Sequence, residues 1–237
     1  MYNDVIGIVG GMGSYATASF FKRLLDAFPA EKEWERPRIL IDNRCTMPSR
    51  VRAILYNEKK DELGALLSDS VKHLIDSGAT KIILACNTSH YFLPYIYDSV
   101  PGAKGKIINI IEETCNMIAN SNSNSLSLIA SEGTIECGIF EEYFKKQNYS
   151  NSIELHYPSE EDFYKQREII EAVKQNCITK TELNKLVSLI NNSCGDIVIL
   201  GCTEFPIAFE MISEDSISKK VVDPLQCAIN KIKADIE

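Results

Sequence analysis

The sequence predicts an α/β protein built as two pseudo-symmetric lobes. Each lobe is an open parallel sheet between helical layers (an αβα sandwich), with a binding site in the cleft between them. Three observations carry this. Short aliphatic runs alternate with segments of helical spacing, the pattern of parallel sheets with right-handed crossovers. Two of the runs are near copies, Ile82-Ile83-Leu84-Ala85-Cys86-Asn87-Thr88-Ser89 and Ile197-Val198-Ile199-Leu200-Gly201-Cys202-Thr203-Glu204. A small polar stretch, Ser121-Asn122-Ser123-Asn124-Ser125, falls between them, and the strand–helix order restarts after it. The expected organisation is an N-terminal lobe over 1–120, a C-terminal lobe over 121–207, and a helical segment, 208–237, that packs back on the first lobe.

Val5-Ile6-Gly7-Ile8-Val9 reads as the first strand. It runs into Gly10-Gly11-Met12-Gly13-Ser14 and a helix near Tyr15 to Ala27. Glycine permits positive φ and close approach of a ligand, and the free N–H groups of a helix start favour an anion. The turn lacks the G-x-G-x-x-G spacing and no Walker lysine follows. It is therefore read as holding a small carboxylate rather than a dinucleotide, with tight packing as the competing explanation. Arg38 to Asn43 is the second strand. The loop after it carries Arg44 and Arg50, and a guanidinium can grip a carboxylate through two parallel bonds. Arg50, just after the Pro48-Ser49 turn, is the favoured one.

Leu63, Leu66, Leu67, Val71, Leu74 and Ile75 recur at helical spacing. His73 sits on that helix, and Gly78 caps its C-terminus. After the first cysteine strand, Asn87, Thr88 or Ser89 starts a helix whose N–H groups would lie beside Cys86, a placement that lowers a thiol's pKa. Lys106 to Ile110 reads as a fourth strand and Ile111 to Ala119 as its helix. The second half repeats the order: strand Leu126 to Ala130, helix Ile139 to Lys146, strand Ile153 to Tyr157, then a helical region from Ser159 to Lys174. Thr179 to Asn191 is amphipathic, with Thr181-Glu182 as capping material. The second cysteine strand comes next, then a short strand at Val221 to Pro224 and a closing helix, Leu225 to Ile236. Cys86 and Cys202 each stand just past an aliphatic run, at the sheet edge where ligands bind in open parallel sheets. They are expected to face each other across one small-molecule site.

Composition narrows the chemistry. The chain has 237 residues, 45% hydrophobic and 24% charged, as in ordinary globular enzymes. No apolar run approaches the ~20 residues that span a membrane. The N-terminus lacks the basic flank and apolar core of a signal peptide, so a cytoplasmic location with reduced thiols is expected. A net charge of −8 and the absence of a Lys/Arg block argue against nucleic acid as a partner. The eight cysteines form no C-x-x-C pair. Cys115, Cys177, Cys194 and Cys227 are expected to be small buried hydrophobes, while Cys45 and Cys137 lie near strand ends.

Two facing thiols allow four chemistries. A disulfide is disfavoured in a reducing cytoplasm. A metal site wants a His/Cys cluster that the sequence does not offer. A single nucleophile needs a histidine base, for which His90 and His156 are available. The fourth is proton transfer at carbon, one thiolate removing a proton from one face and the opposite thiol returning one to the other. Without a cofactor, the carbanion must be stabilised by oriented N–H groups, hydroxyls and cations. Asn87-Thr88 and Thr203-Glu204 can provide these.

Gly10-Gly11-Met12-Gly13, Ala85-Cys86-Asn87-Thr88 and Leu200-Gly201-Cys202-Thr203-Glu204-Phe205-Pro206 together resemble the cofactor-independent aspartate/glutamate racemase superfamily, over essentially the whole chain. The turn followed by Ala16-Thr17-Ala18-Ser19-Phe20-Phe21 is similar to the aspartate racemase branch. The Asp-Ser-Gly turn usual in glutamate racemases is missing. The resemblance implies a homodimer, no cofactor, and Cys86 and Cys202 as the two acid/base residues. It also implies substrate contacts from Met12, Arg50, Asn87, Thr88, Thr203 and Glu204. For the side-chain carboxylate it implies a lysine after the sixth strand, here Lys165, with Arg167 or Arg50 as alternatives. The expected activity is interconversion of L- and D-aspartate, with glutamate second. A racemase of broader specificity, a cysteine-dependent dicarboxylate isomerase or decarboxylase, and a carboxylate-binding sensor are the other readings.

Overall fold

The structure, a computed structural model, describes residues 2–121, 123–147 and 153–236. The first half runs β1 (Val5–Gly10), α1 (Ser14–Ala27), β2 (Arg38–Asn43), α2 (Arg50–Tyr56), α3 (Lys60–Asp76), β3 (Lys81–Leu84), α4 (Leu93–Ser99) and α5 (Ile110–Ala119). The second half runs β4 (Ser125–Ala130), α6 (Glu132–Glu136), α7 (Ile139–Lys146), β5 (Glu154–His156), α8 (Glu160–Lys174), α9 (Lys180–Asn191), β6 (Ile197–Gly201), α10 (Phe205–Phe209), β7 (Lys220–Val222) and α11 (Pro224–Ile236). Of the polar divider, Ser125 already opens β4, and Asn122 lies outside the described residues.

Among the described residues there are two sheets, ordered β2-β1-β3 and β5-β4-β6-β7, with every pairing parallel. The order of the first sheet is repeated by the first three strands of the second. β1 is equivalent to β4, β2 to β5, and β3 to β6. The central strands are covered on both faces, which is why they read as continuous aliphatic runs. Ile6 and Ile8 of β1 point into one apolar cluster, while Val9 points into another. The first of these clusters crosses the two halves. It joins Ile6, Ile8 and Phe20 to Leu126, Leu128 and Ile199. The C-terminal helix α11 buries Leu225, Ala228, Ile229 and Ile232 in the same cluster and packs on α5 and α1. Ion pairs tie it to the first half: Arg23 to Asp223 at 2.6 Å and Lys81 to Asp235 at 2.7 Å.

Four local expectations need correction. Lys106 to Ile110 is not a strand. Ile107 makes a single bridge to Ile82, and Asn109 then caps α5 by accepting from the N–H groups of Ile111 and Glu112. That cap starts the helix before a strand can extend. At α9 the N-cap is Thr179, in a capping box with Glu182, so Glu182 belongs to the cap but Thr181 does not. Cys177 and Cys194 are exposed, whereas Cys115 and Cys227 are buried. Both exposed thiols sit in the loops that bracket α9, outside the apolar stripes.

The fourth concerns the glycine turn, which holds no open anion cradle. Gly11 has φ +80°, and a Cβ there would lie 2.3 Å from the Arg44 backbone. A Cβ on Gly10 would lie 2.4 Å from the Thr17 side chain. The glycines let the turn pack against the β2–α2 loop and α1. Gly78 shares the positive φ, at +98°, but a Cβ there meets nothing within 4 Å. Gly11→Ala and Gly78→Ala therefore separate the two effects. Each should lose about 1–3 kcal/mol for an unfavourable backbone conformation, and Gly11→Ala should lose more because of the clash. Urea midpoints of the two variants check this. Equal midpoints would show that the contact with Arg44 is not limiting.

Candidate active site

Cys86 and Cys202 stand just past the C-terminal ends of β3 and β6, the equivalent strands of the two sheets, and both line one cavity of about 210 Å³. Met12, Arg50, Thr88 and Glu204 line it too. Asn87 and Thr203 are buried beside the thiols without reaching its surface. Thr203 Oγ donates to the Ala85 carbonyl at 3.4 Å, linking the two cysteine loops. The helix expected after Cys86 begins as a short 3₁₀ turn, Thr88–Phe92, and the Asn87 side chain makes no capping bond.

The lobes close on each other at one rim of the cavity. Thr88 hydroxyl is 2.7 Å from that of Thr134 and 3.2 Å from that of Ser131, and the latter two are 3.0 Å apart. The three hydroxyls form a triangle between the first half and the start of α6, with Ser131 as that helix's N-cap residue. Beside it α2 packs on α6, and a Cβ on Gly133 would lie 3.0 Å from Val51 Cα.

Helix α8 forms the opposite wall. Phe163, Gln166, Arg167, Ile170, Glu171 and Lys174 line the cavity, spaced as one helical face. Gln166 fixes this face to the sheet, because its Oε1 accepts from Ala130 N–H at 2.8 Å and its Nε2 donates to the Asp162 carbonyl. Lys165 lies off the stripe. It pairs with Glu161 at 3.0 Å and Asp162 at 3.1 Å, and lines a separate cavity with His156 and Cys194. The lysine that lines the thiol cavity is Lys174, which the sequence alone does not single out. Its signal is the helical spacing from Phe163, visible once the helix is phased.

Charges in the cavity are matched locally. Arg167 meets Glu132 at 2.5 Å, and Lys174 meets Glu171 at 3.3 Å. Burial works against the charge on Lys174, but Glu204, Cys202 and Glu171 hold its pKa above the ordinary value, so it stays an ammonium. Arg50 donates to the carbonyls of Met12, at 2.5 Å, and Pro48, at 3.0 Å. Cys202 Sγ donates to Glu204 Oε2 at 3.0 Å. Burial, then the Glu204 charge and that bond, push the Cys202 thiol well above its usual pKa, against the pull of Lys174. Glu204 is 3% exposed and lies against Gly13, where a Cβ would come within 2.3 Å of Oε1. Gly13 is the N-cap of α1, the end of a helix that attracts negative charge. The anion at this helix start is the protein's own carboxylate.

Three buried groups around the cavity keep polar atoms without a partner: Arg50 Nε, both amide atoms of Asn87, and Glu204 Oε1. Such atoms are rare in folded proteins and cost about 1–3 kcal/mol each. Donors for an anion and acceptors for a cation stand together, as a zwitterion requires.

His90 does not serve either thiol. Its Nδ1 is bound to the Cys86 carbonyl at 2.9 Å, and its Nε2 accepts from Ile110 N–H at 3.4 Å. Burial lowers its pKa to about 4, so the ring is neutral. His156 lies against Ser125 on the other cavity. Neither Cys45, which is exposed, nor Cys137, which donates to the Thr134 carbonyl, lines the site. Among the described residues no His/Cys/Asp/Glu group could hold a metal ion, and no helix is long and apolar enough to cross a membrane.

Fold and site thus define a two-lobed α/β enzyme with paired thiols on one cavity. The Asp/Glu/Hydantoin racemase family profile matches residues 9–232. The chain belongs to that family, and with it to the amino-acid racemases, which are isomerases. A broad-specificity amino-acid racemase of Bacillus subtilis is 27% identical over 222 residues, covering 89% of this chain and 90% of the relative. A glutamate racemase of Caldanaerobacter subterraneus is 26% identical over 98% of this chain and 79% of its own length. The solved aspartate racemase of Picrophilus torridus superposes with a TM-score of 0.82 at 25% identity, covering 99% of this chain and 96% of that one.

The His90 geometry has a consequence for stability. In the unfolded chain the ring titrates at its ordinary 6.5, and in the folded protein at about 4. The unfolded state therefore binds more protons between those values, so its neutral burial contributes fully above 6.5 and is lost as pH falls toward 4. Denaturation midpoints should decline over that window, and His90→Gln should flatten the decline. An unchanged slope in the variant would reject the assignment.

Proposed function

We propose that the protein racemises an acidic amino acid, aspartate first and glutamate second, without a cofactor, using Cys86 and Cys202 as the two acid/base groups. The observation that carries this is the pair of thiols on one cavity, at equivalent strand ends of two repeated sheets. Substrate and product are mirror images at the α-carbon, and a pseudo-symmetric pair of bases can serve both. One thiolate takes the α-proton from one face. The opposite thiol delivers a proton to the other face and inverts the centre.

The unpartnered atoms fit the rest of the substrate. Glu204 Oε1 is the acceptor for the α-ammonium, with Asn87 Oδ1 buried behind the thiols. Arg50 Nε and the hydroxyls of Thr88 and Ser131 are donors for the α-carboxylate. Hydrogen bonds to that carboxylate and the ammonium charge nearby stabilise the carbanion as it forms. Lys174 is the cation for the side-chain carboxylate, in the role expected of Lys165 from the sequence. The relationship to the Picrophilus torridus aspartate racemase supports this substrate. A broader specificity is the second reading. The carboxylates of Glu132 and Glu171 also line the cavity, and the Bacillus subtilis relative has broad specificity by name.

The purified protein in deuterium oxide should place deuterium at the α-carbon of aspartate while racemising it. A panel of acidic, neutral and basic amino acids ranks the two specificity readings, and no exchange with any of them rejects the racemase. Cys86→Ala and Cys202→Ala should each abolish racemisation; full activity in either rejects a two-base reaction. Lys174→Met removes a charged hydrogen bond of about 1.5–3 kcal/mol, so kcat/KM for aspartate should fall roughly 10- to 150-fold. Lys165→Met should leave it nearly unchanged. The reverse ranking would return the side-chain carboxylate to Lys165.

A further inference from the structure

We propose that Glu204 is a positioning residue for a proton: it holds the proton on Cys202 in the resting enzyme, so that Cys86 is the thiol of the pair that gives up its proton first and begins a turnover as the base. This deepens the racemase reading and takes its catalytic meaning from it.

The two thiols occupy equivalent places, but their neighbours differ. Cys202 Sγ donates to Glu204 Oε2 at 3.0 Å. A thiolate at that position would face a carboxylate at contact distance. No hydrogen bond or ion pair among the described residues engages Cys86 Sγ. The carboxylate has no easy way to turn aside. Glu204 is 3% exposed, Thr203 Oγ donates to the same oxygen at 3.4 Å, and Gly13 blocks the other side with no Cβ to spare. The charged groups that face Cys202 are Glu204 and Lys174, together with Cys86 itself, and burial and Glu204 prevail over Lys174 in raising its pKa. Glu171, Arg167, Glu132 and Arg50, the other charged groups on the wall, are each engaged in contacts of their own.

Protons balance over the turnover. The Cys86 thiolate takes the α-proton and becomes a thiol. The Cys202 thiol gives its proton to the opposite face of the carbanion and becomes a thiolate, and Glu204 neither gains nor loses a proton in the count. The substrate ammonium on the free Oε1 of Glu204 offsets the carboxylate's charge as the new thiolate appears beside it. The resting enzyme is thus poised for the enantiomer that presents its α-proton to Cys86.

Alkylation of the free protein tests this without substrate. Limited iodoacetamide joins carbon to a thiolate sulfur with loss of iodide, and peptide mass spectrometry resolves each cysteine. Cys86 is 8% exposed, and Cys202 is the more open of the two. Access alone therefore predicts Cys202 first. The proposal predicts Cys86 first, by about tenfold or more, one pKa unit being tenfold in thiolate. Glu204→Gln should raise Cys202 labelling and erase that order, and Glu204→Asp should keep it. Labelling of Cys202 first in the wild-type protein, or an order unchanged in Glu204→Gln, overturns the proposal. The wild-type order decides even if the variant fails to fold. Absence of racemisation together with Cys86-first labelling would sink the racemase reading and leave the proton placement standing.

Discussion

The site depends on one buried carboxylate. Glu204 comes from the second half of the chain and rests against Gly13 of the first, in contact with Cys202 and Thr203. Taking a carboxylate out of water is costly unless it is paired or hydrogen-bonded. Here one oxygen is bonded and the other is buried against Gly13 without a partner. The arrangement requires a glycine at position 13, since any Cβ would occupy the place of Oε1. It also requires the two halves to be held in register, which the shared apolar cluster and α11 provide. Fold, glycine turn and thiol environment are therefore a single constraint seen at three scales.

Repetition supplies the geometry and departure from repetition supplies the chemistry. Strand orders match between the sheets, so the two cysteine loops face each other. The residues after the two cysteines do not match. Cys86 is followed by Asn87, whose amide atoms are unpartnered, and by His90, a neutral structural ring. Cys202 is followed by Thr203 and Glu204, which bring a charge to the sulfur. The two thiols are equivalent in place and unequal in neighbours, and among the described residues only Cys202 has a carboxylate against its sulfur.

Most of the architecture was legible because aliphatic runs of four to six residues (Val5–Gly10, Ile197–Gly201) have few alternatives to a strand buried on both faces. Lys106 to Ile110 misled for the same reason. Its isoleucines read as a strand, but Asn109 offers the next two N–H groups an acceptor and the helix wins. Cys86 and Cys202 were legible from position alone. The wall opposite them was not. Seeing that Lys174 and not Lys165 lines the thiol cavity needs the phase of α8 against the sheet. That phase is set by Gln166 bonding Ala130, a contact that no local pattern announces. Likewise the role of Gly13 is invisible without the residue it faces, because a glycine at a helix start is equally consistent with a bound anion and with a neighbouring side chain.

The hydroxyl triangle and the α2–α6 contact hold the two halves together in a different way from the core. The apolar cluster is continuous behind the cleft, so the halves cannot swing apart as rigid bodies without tearing their common core. At the rim the contacts are of another kind: Thr88, Ser131 and Thr134 hold each other and Val51 rests on Gly133. A few hydroxyl bonds and one backbone-on-backbone contact can part and re-form far faster than a core can. The rim is thus the part of the seam between the halves that opens at least cost.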